Sequence, residues 1–103
     1  MVKAFVDAQI KDNKVVVFSK TYCPYCRMAK SALAAAGYED YALLELDERD
    51  DGDAMQTYLA QLTGGRTVPR VFIGGKFVGG GSEVQALQQQ GKLVPMLKEV
   101  GAL

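Results

Sequence analysis

Four apolar residues in succession, Val15-Val16-Val17-Phe18, have the pattern of a β-strand covered on both faces. The flanking sequence supplies the helical stripes that could cover it. Val2, Phe5, Val6 and Ile10 follow helical spacing up to a stop at Asn13. Downstream, Pro24 opens a helix with Met28, Ala29, Ala32, Leu33 and Ala36 along one stripe, closed by Gly37. Tyr41 to Leu46 reads as a second strand, and Asp50 to Leu62 as a helix with Met55, Tyr58, Leu59 and Leu62 on one face. Val71-Phe72-Ile73 and Lys76-Phe77-Val78 flank Gly74-Gly75, a two-residue hairpin signal. Gly79-Gly80-Gly81-Ser82-Glu83 then leads into a final helical region punctuated by Gly91 and Pro95. This order predicts an α/β fold with a mixed sheet, its Met, Phe and Leu stripes serving as core.

With 103 residues and no repeat, low-complexity tract or linker, the chain is expected to form a single domain over 1–103. Twelve basic residues balance twelve acidic ones, which argues against nucleic acid or a membrane surface as a general partner. No stretch approaches the ~20 apolar residues of a membrane span. The N-terminal stretch reaches Asp7 before any apolar run long enough for a signal peptide, so the expected compartment is the cytoplasm.

Two cysteines and no histidine narrow the chemistry further. A reducing compartment disfavours structural disulfides, and a bridge between Cys23 and Cys26 would add only about 2 kcal/mol by the chain-entropy relation. A structural zinc site wants four Cys or His ligands, and a Cys–His hydrolase needs a histidine. Redox chemistry, a half-site shared between subunits, or coincidence remain.

Context separates these. Cys23 precedes Pro24 at a helix start, where unpaired N–H groups and the helix dipole favour an anion by at most ~2 kcal/mol. The thiolate is the nucleophile, so this seat creates reactivity. Lys20, three residues upstream, would add to the effect if its loop folds it over the sulfur. Cys26 follows one turn inward, near enough to close a redox-active Cys23–Cys26 disulfide. A strand, a Cys-x-x-Cys and a helix in that order favour redox over the other two readings.

Cys23-Pro24-Tyr25-Cys26, Thr67-Val68-Pro69 and the turn from Gly79 to Glu83 together resemble a dithiol glutaredoxin, and the likeness covers nearly the whole chain. The resemblance implies a thioredoxin-like fold, a four-stranded mixed β-sheet flanked by helices. It also implies glutathione as co-substrate, with no tightly bound cofactor and no metal. Pro69 would be the family's cis-proline, leaving the Val68 backbone to pair with the cysteine of glutathione by a short strand addition. Gly80 and Ser82 at a helix start would hold the γ-glutamyl carboxylate, with Glu83 facing the α-amino group. Lys20 and Gln56 match positions that hold the glycine carboxylate, and Tyr25 and Thr67 complete the expected contacts. Arg66 and Arg70 read as solvated surface residues. Many relatives carry cysteine where this chain has Gly81, and aspartate is commoner where it has Glu83.

The expected activity is glutathione-dependent reduction of protein–glutathione mixed disulfides and protein disulfides by a monomer. Cys23 would be the nucleophile and Cys26 the resolving thiol. Thioredoxin is a rival, but the chain has no Trp and places Pro-Tyr rather than Gly-Pro between its cysteines. An iron–sulfur carrier is another, although relatives built for that usually replace Cys26 by Ser and Pro24 by Gly. A redox-inert interaction domain would have no use for the intact cysteine pair.

Overall fold

Helix α1 (Val2–Asp12) leads into strand β1 (Val15–Ser19), which is followed by helix α2 (Pro24–Ala35) and strand β2 (Ala42–Glu45). After a 3₁₀ turn (Leu46–Glu48) come helix α3 (Gly52–Thr63), the hairpin strands β3 (Arg70–Ile73) and β4 (Lys76–Gly79), and helices α4 (Gly81–Gln89) and α5 (Leu93–Glu99). The structure, a computed structural model, describes residues 1–103. Its four strands form one mixed sheet in the order β2-β1-β3-β4, with β1 parallel to β2 and antiparallel to β3.

All five residues of β1 are buried, as an uninterrupted apolar run requires. Successive side chains of a strand point to opposite faces, so β1 feeds two cores. Val15 and Val17, with Val71 and Ile73 of β3, pack against Ala29 and Leu33 of α2, Val84 of α4, and Leu93 and Leu97 of α5. Val16, Phe18 and Phe72 face the other way, toward Val6 of α1 and Met55 and Leu59 of α3. Phe18 and Phe72 meet edge to face with centroids 5.8 Å apart. Each fully buried side chain of this size contributes about 1.5–3 kcal/mol, so the central strand anchors both layers.

The Gly74-Gly75 turn has φ of 61° and 82° at its two positions, the left-handed backbone that a two-residue hairpin of this type demands. The expected second strand ends one residue early, because Leu46 turns inward with the 3₁₀ turn and joins the core beside Phe18. Helix α3 begins at Gly52 rather than Asp50, after Arg49 has folded onto Asp51 (2.8 Å) and over the Phe5 ring. Of its expected apolar face, Met55 and Leu59 are buried, but Leu62 lies near the helix end and is exposed. The final helical region divides at Gly91 alone. Pro95 sits in the first turn of α5, where its missing N–H would have had no intrahelical partner.

Candidate functional site

Strand β1 ends at the buried Ser19, and the chain then turns through Lys20–Tyr22 to reach α2, with the Cys23 N–H donating to the Lys20 carbonyl (3.2 Å). That turn is tied to the 3₁₀ segment by Asp47, whose carboxylate accepts from the Thr21 N–H (3.0 Å) and from the Thr21 hydroxyl. The Thr21 hydroxyl is the main reason the Asp47 carboxyl sits below its ordinary range, and the charge of Lys20 adds to it. Asp47 carried no motif of its own. Its role depends on a contact between segments 26 residues apart.

Cys23 is the N-cap of α2. Its Sγ accepts from the Cys26 N–H (3.4 Å), and its thiol faces the Val68 carbonyl (3.6 Å), so the sulfur sits where the helix offers a free donor. Cys23 is partly exposed, whereas Cys26, one turn further, is fully buried; both are free thiols. Burial pushes the Cys26 thiol up, with the Ser19 side chain opposing that rise. One sulfur can be approached from solvent and the other is held behind it.

Beside Cys23 lies a cleft of about 280 Å³. One wall is Thr67, Val68 and Pro69, joined by a cis Val68–Pro69 peptide bond; the other is the start of α4, and Tyr25 stands at the edge. The structure thus gathers Tyr25, Thr67, Val68, Pro69, Gly80, Ser82 and Glu83, brought together from three separate parts of the sequence. Lys20 and Gln56 do not line the cleft. The Gln56 side-chain amide donates to the Arg66 carbonyl (2.7 Å), bracing the loop that carries Thr67.

At the start of α4, the Glu83 carboxylate accepts from the Gly80 N–H (2.6 Å). The Gly80 amide is therefore occupied, and the unpaired first-turn donors are those of Gly81, Ser82 and Glu83. Gly81 also lines the cleft, and a Cβ there would fall 2.2 Å from the Tyr25 carbonyl oxygen, so α4 begins directly on the first turn of α2. Arg70, which reads in the sequence as a solvated side chain, lines the cleft as well. Its guanidinium is pulled below its ordinary value by burial, with the Glu83 charge opposing. Across the whole chain, no group of three or more His, Cys, Asp or Glu side chains is placed to hold a metal ion, and no helix is long and apolar enough to cross a membrane.

An approachable thiol capping a helix, backed by a hidden thiol one turn away and facing the Val68 carbonyl, defines a thiol–disulfide oxidoreductase. The glutaredoxin family model matches residues 15–78, so the chain belongs to the glutaredoxin family, whose members are glutathione-dependent oxidoreductases of thioredoxin-like fold. A glutaredoxin from Ricinus communis is 53% identical over 94 residues, covering 91% of each chain. Oxidised glutaredoxin 2 from Chlamydomonas reinhardtii superposes with a TM-score of 0.95 at 49% identity, over 99% of this chain and 95% of that one. A buckwheat glutaredoxin–glutathione complex matches with a TM-score of 0.93 at 48% identity, over 100% of this chain and 93% of the other.

Proposed function

We propose that this glutaredoxin reduces protein–glutathione mixed disulfides and protein disulfides with glutathione as electron donor, Cys23 attacking and Cys26 resolving. The observation that carries this reading is the contrast between a solvent-reachable Cys23 at the helix start and a fully buried Cys26. The Cys23 thiolate attacks the glutathionyl sulfur of a mixed disulfide, forms a Cys23–glutathione disulfide and expels the protein thiolate, which takes up a proton. A second glutathione thiolate attacks that adduct, regenerating the Cys23 thiolate and leaving as oxidised glutathione. With a protein disulfide, Cys26 displaces the substrate from Cys23, and two glutathiones then reduce the Cys23–Cys26 bridge.

Glutathione would lie in the cleft with its cysteine along the Val68 backbone and its γ-glutamyl carboxylate on the free N–H groups of Gly81 and Ser82. Tyr25 and Thr67 flank it. Glu83 meets the α-amino group with the oxygen not bound to Gly80, while Lys20, assisted by Gln56, attracts the glycine carboxylate. The buckwheat relative solved with glutathione supports this ligand. The chain acts as a monomer in the cytoplasm.

Separating the two sulfurs tests the reading. Cys26→Ser should keep most turnover of a small glutathione mixed disulfide, coupled to glutathione reductase, while losing much of its reduction of protein disulfides. Cys23→Ser should lose both. Mass spectrometry after exposure to oxidised glutathione should find one stable adduct on Cys23 of the Cys26→Ser protein. An adduct on Cys26 in the wild type, or a Cys26→Ser protein dead toward the mixed disulfide, overturns the assignment.

A further inference from the structure

We propose that Arg70 is a positioning residue that locks the Thr67–Val68 edge of the cleft by clamping Thr67, with Gly65 shaped to seat its guanidinium. This rests on the glutathione reading above. The Arg70 side chain folds back over its own strand start instead of reaching into solvent. Its Nε donates to the Thr67 carbonyl (2.7 Å) and its Nη2 to the Thr67 hydroxyl (2.8 Å), a two-point grip on one residue. The guanidinium plane also lies over the Phe77 ring, 5.1 Å from its centroid. A planar fork with fixed donors suits such a grip, and a lysine ammonium would not reproduce it.

Gly65 completes the seat. A Cβ built there would fall 2.2 Å from Nη2 and 3.0 Å from Cζ, so any side chain at 65 displaces the guanidinium. Its backbone does not lie in the left-handed region, so alanine is conformationally allowed there. The clamp matters because Thr67 is bonded directly to Val68. The Val68 carbonyl faces the Cys23 thiol at 3.6 Å, and the Val68 backbone is where the cysteine of glutathione would pair. Arg70 touches neither sulfur. It acts by keeping the preceding peptide from swinging, which lowers the ordering cost that a bound ligand would otherwise carry.

The experiment measures steady-state turnover of the mixed disulfide of glutathione and 2-mercaptoethanol, coupled to glutathione reductase, for wild type, Arg70→Gln, Arg70→Lys, Gly65→Ala and the Gly65→Ala/Arg70→Gln pair. Arg70→Gln should raise KM about tenfold with kcat within about twofold, the scale of losing a charge-assisted hydrogen bond that orders the site. Gly65→Ala, which keeps the positive charge, should raise KM to the same degree, and the double variant should add nothing further. Arg70→Lys should not rescue. Alkylation of Cys23 by iodoacetamide, a reagent that needs no Val68 edge, should keep its wild-type rate in all four. Wild-type KM in Gly65→Ala, or rescue by lysine, would show that bare charge and not the clamp is at work, and overturns the proposal. A fall in alkylation rate at unchanged KM overturns it too, since Arg70 would then act on the thiol. Wild-type protein that fails to turn over the mixed disulfide defeats the glutathione reading itself, and the proposal falls with it.

Discussion

Cys23 and Cys26 sit one helical turn apart in unlike surroundings, and the difference sets their chemistry. Cys26 is enclosed by β1 and the body of α2, and desolvation is the largest cause of the upward push on its thiol from the ordinary 9.0. The thiolate is the charged form, so burial keeps Cys26 protonated through neutral pH. In the proposed cycle, a hidden sulfur held as a thiol does not compete for substrate, and it attacks the Cys23 mixed disulfide as its thiolate, its proton passing to the departing substrate thiolate. Desolvation, the largest cause, does not depend on Cys23 and survives its replacement, while the two smaller contributions of Cys23 are lost. Cys26 in the Cys23→Ser protein should therefore react with iodoacetamide more slowly than free cysteine, and its rate should still be climbing above pH 9. A rate that levels off below pH 9 would contradict the burial argument. That Cys26 lies one turn inside α2 from Cys23 was legible in the sequence, and the structure buries it on the side that carries Ala29 and Leu33.

Among the elements, α2 and β2 are joined by an ion pair that no motif announces. Lys30 Nζ lies 2.9 Å from Glu45 Oε2, both side chains are mostly buried, and Glu45 Oε1 has no hydrogen-bond partner. Removing only the cation strands a desolvated carboxylate, whereas replacing both groups by apolar ones removes the penalty. Lys30→Met should cost about 1–3 kcal/mol in urea unfolding, and the Lys30→Met/Glu45→Leu pair should recover most of it. A double variant no more stable than the single would sink the argument. The elements themselves were legible where one period dominated: the β1 run, the α1 and α2 stripes and the Gly74-Gly75 hairpin all appear where the sequence places them. Boundaries moved where side chains answer to distant partners. Leu46 leaves β2 to reach Phe18, and Leu62, one residue before the end of α3, stays exposed.

At the scale of the whole molecule, the cleft was legible in proportion to how local its parts are. Cys23-Pro24-Tyr25-Cys26, Thr67-Val68-Pro69 and Gly79 to Glu83 each carry their geometry in contiguous residues, and the fold brings them together. Asp47 meets Thr21 only after segments 26 residues apart have come together, while the grip of Arg70 on Thr67 and the brace from Gln56 to Arg66 depend on how the 64–70 loop folds back on itself, so composition and spacing were silent on all three. The same distinction governs stability against pH. With twelve charges of each sign, net repulsion is small near neutrality, and individual groups set the profile. Burial raises the Cys26, Tyr38 and Tyr41 groups, and the Asp7 hydrogen bond raises Tyr58. These acids are neutral when protonated, and folding favours that form. Their contribution is complete below the ordinary values of 9.0 for cysteine and 10.0 for tyrosine, and it is lost as pH rises beyond them. Asp47 and Asp51 have the opposite sign. Thr21 holds the one below 3.8 and Arg49 the other, so their contribution is present above that value and lost as pH falls through it. The thermal midpoint should therefore be nearly flat between about pH 5 and pH 9 and fall on both sides. Tyr58→Phe should flatten the alkaline limb, because it removes one raised acid and its bond to Asp7 together. Differential scanning calorimetry across that range decides the matter: a midpoint that keeps rising past pH 10, or an alkaline limb unchanged in Tyr58→Phe, would show that these groups do not set the profile.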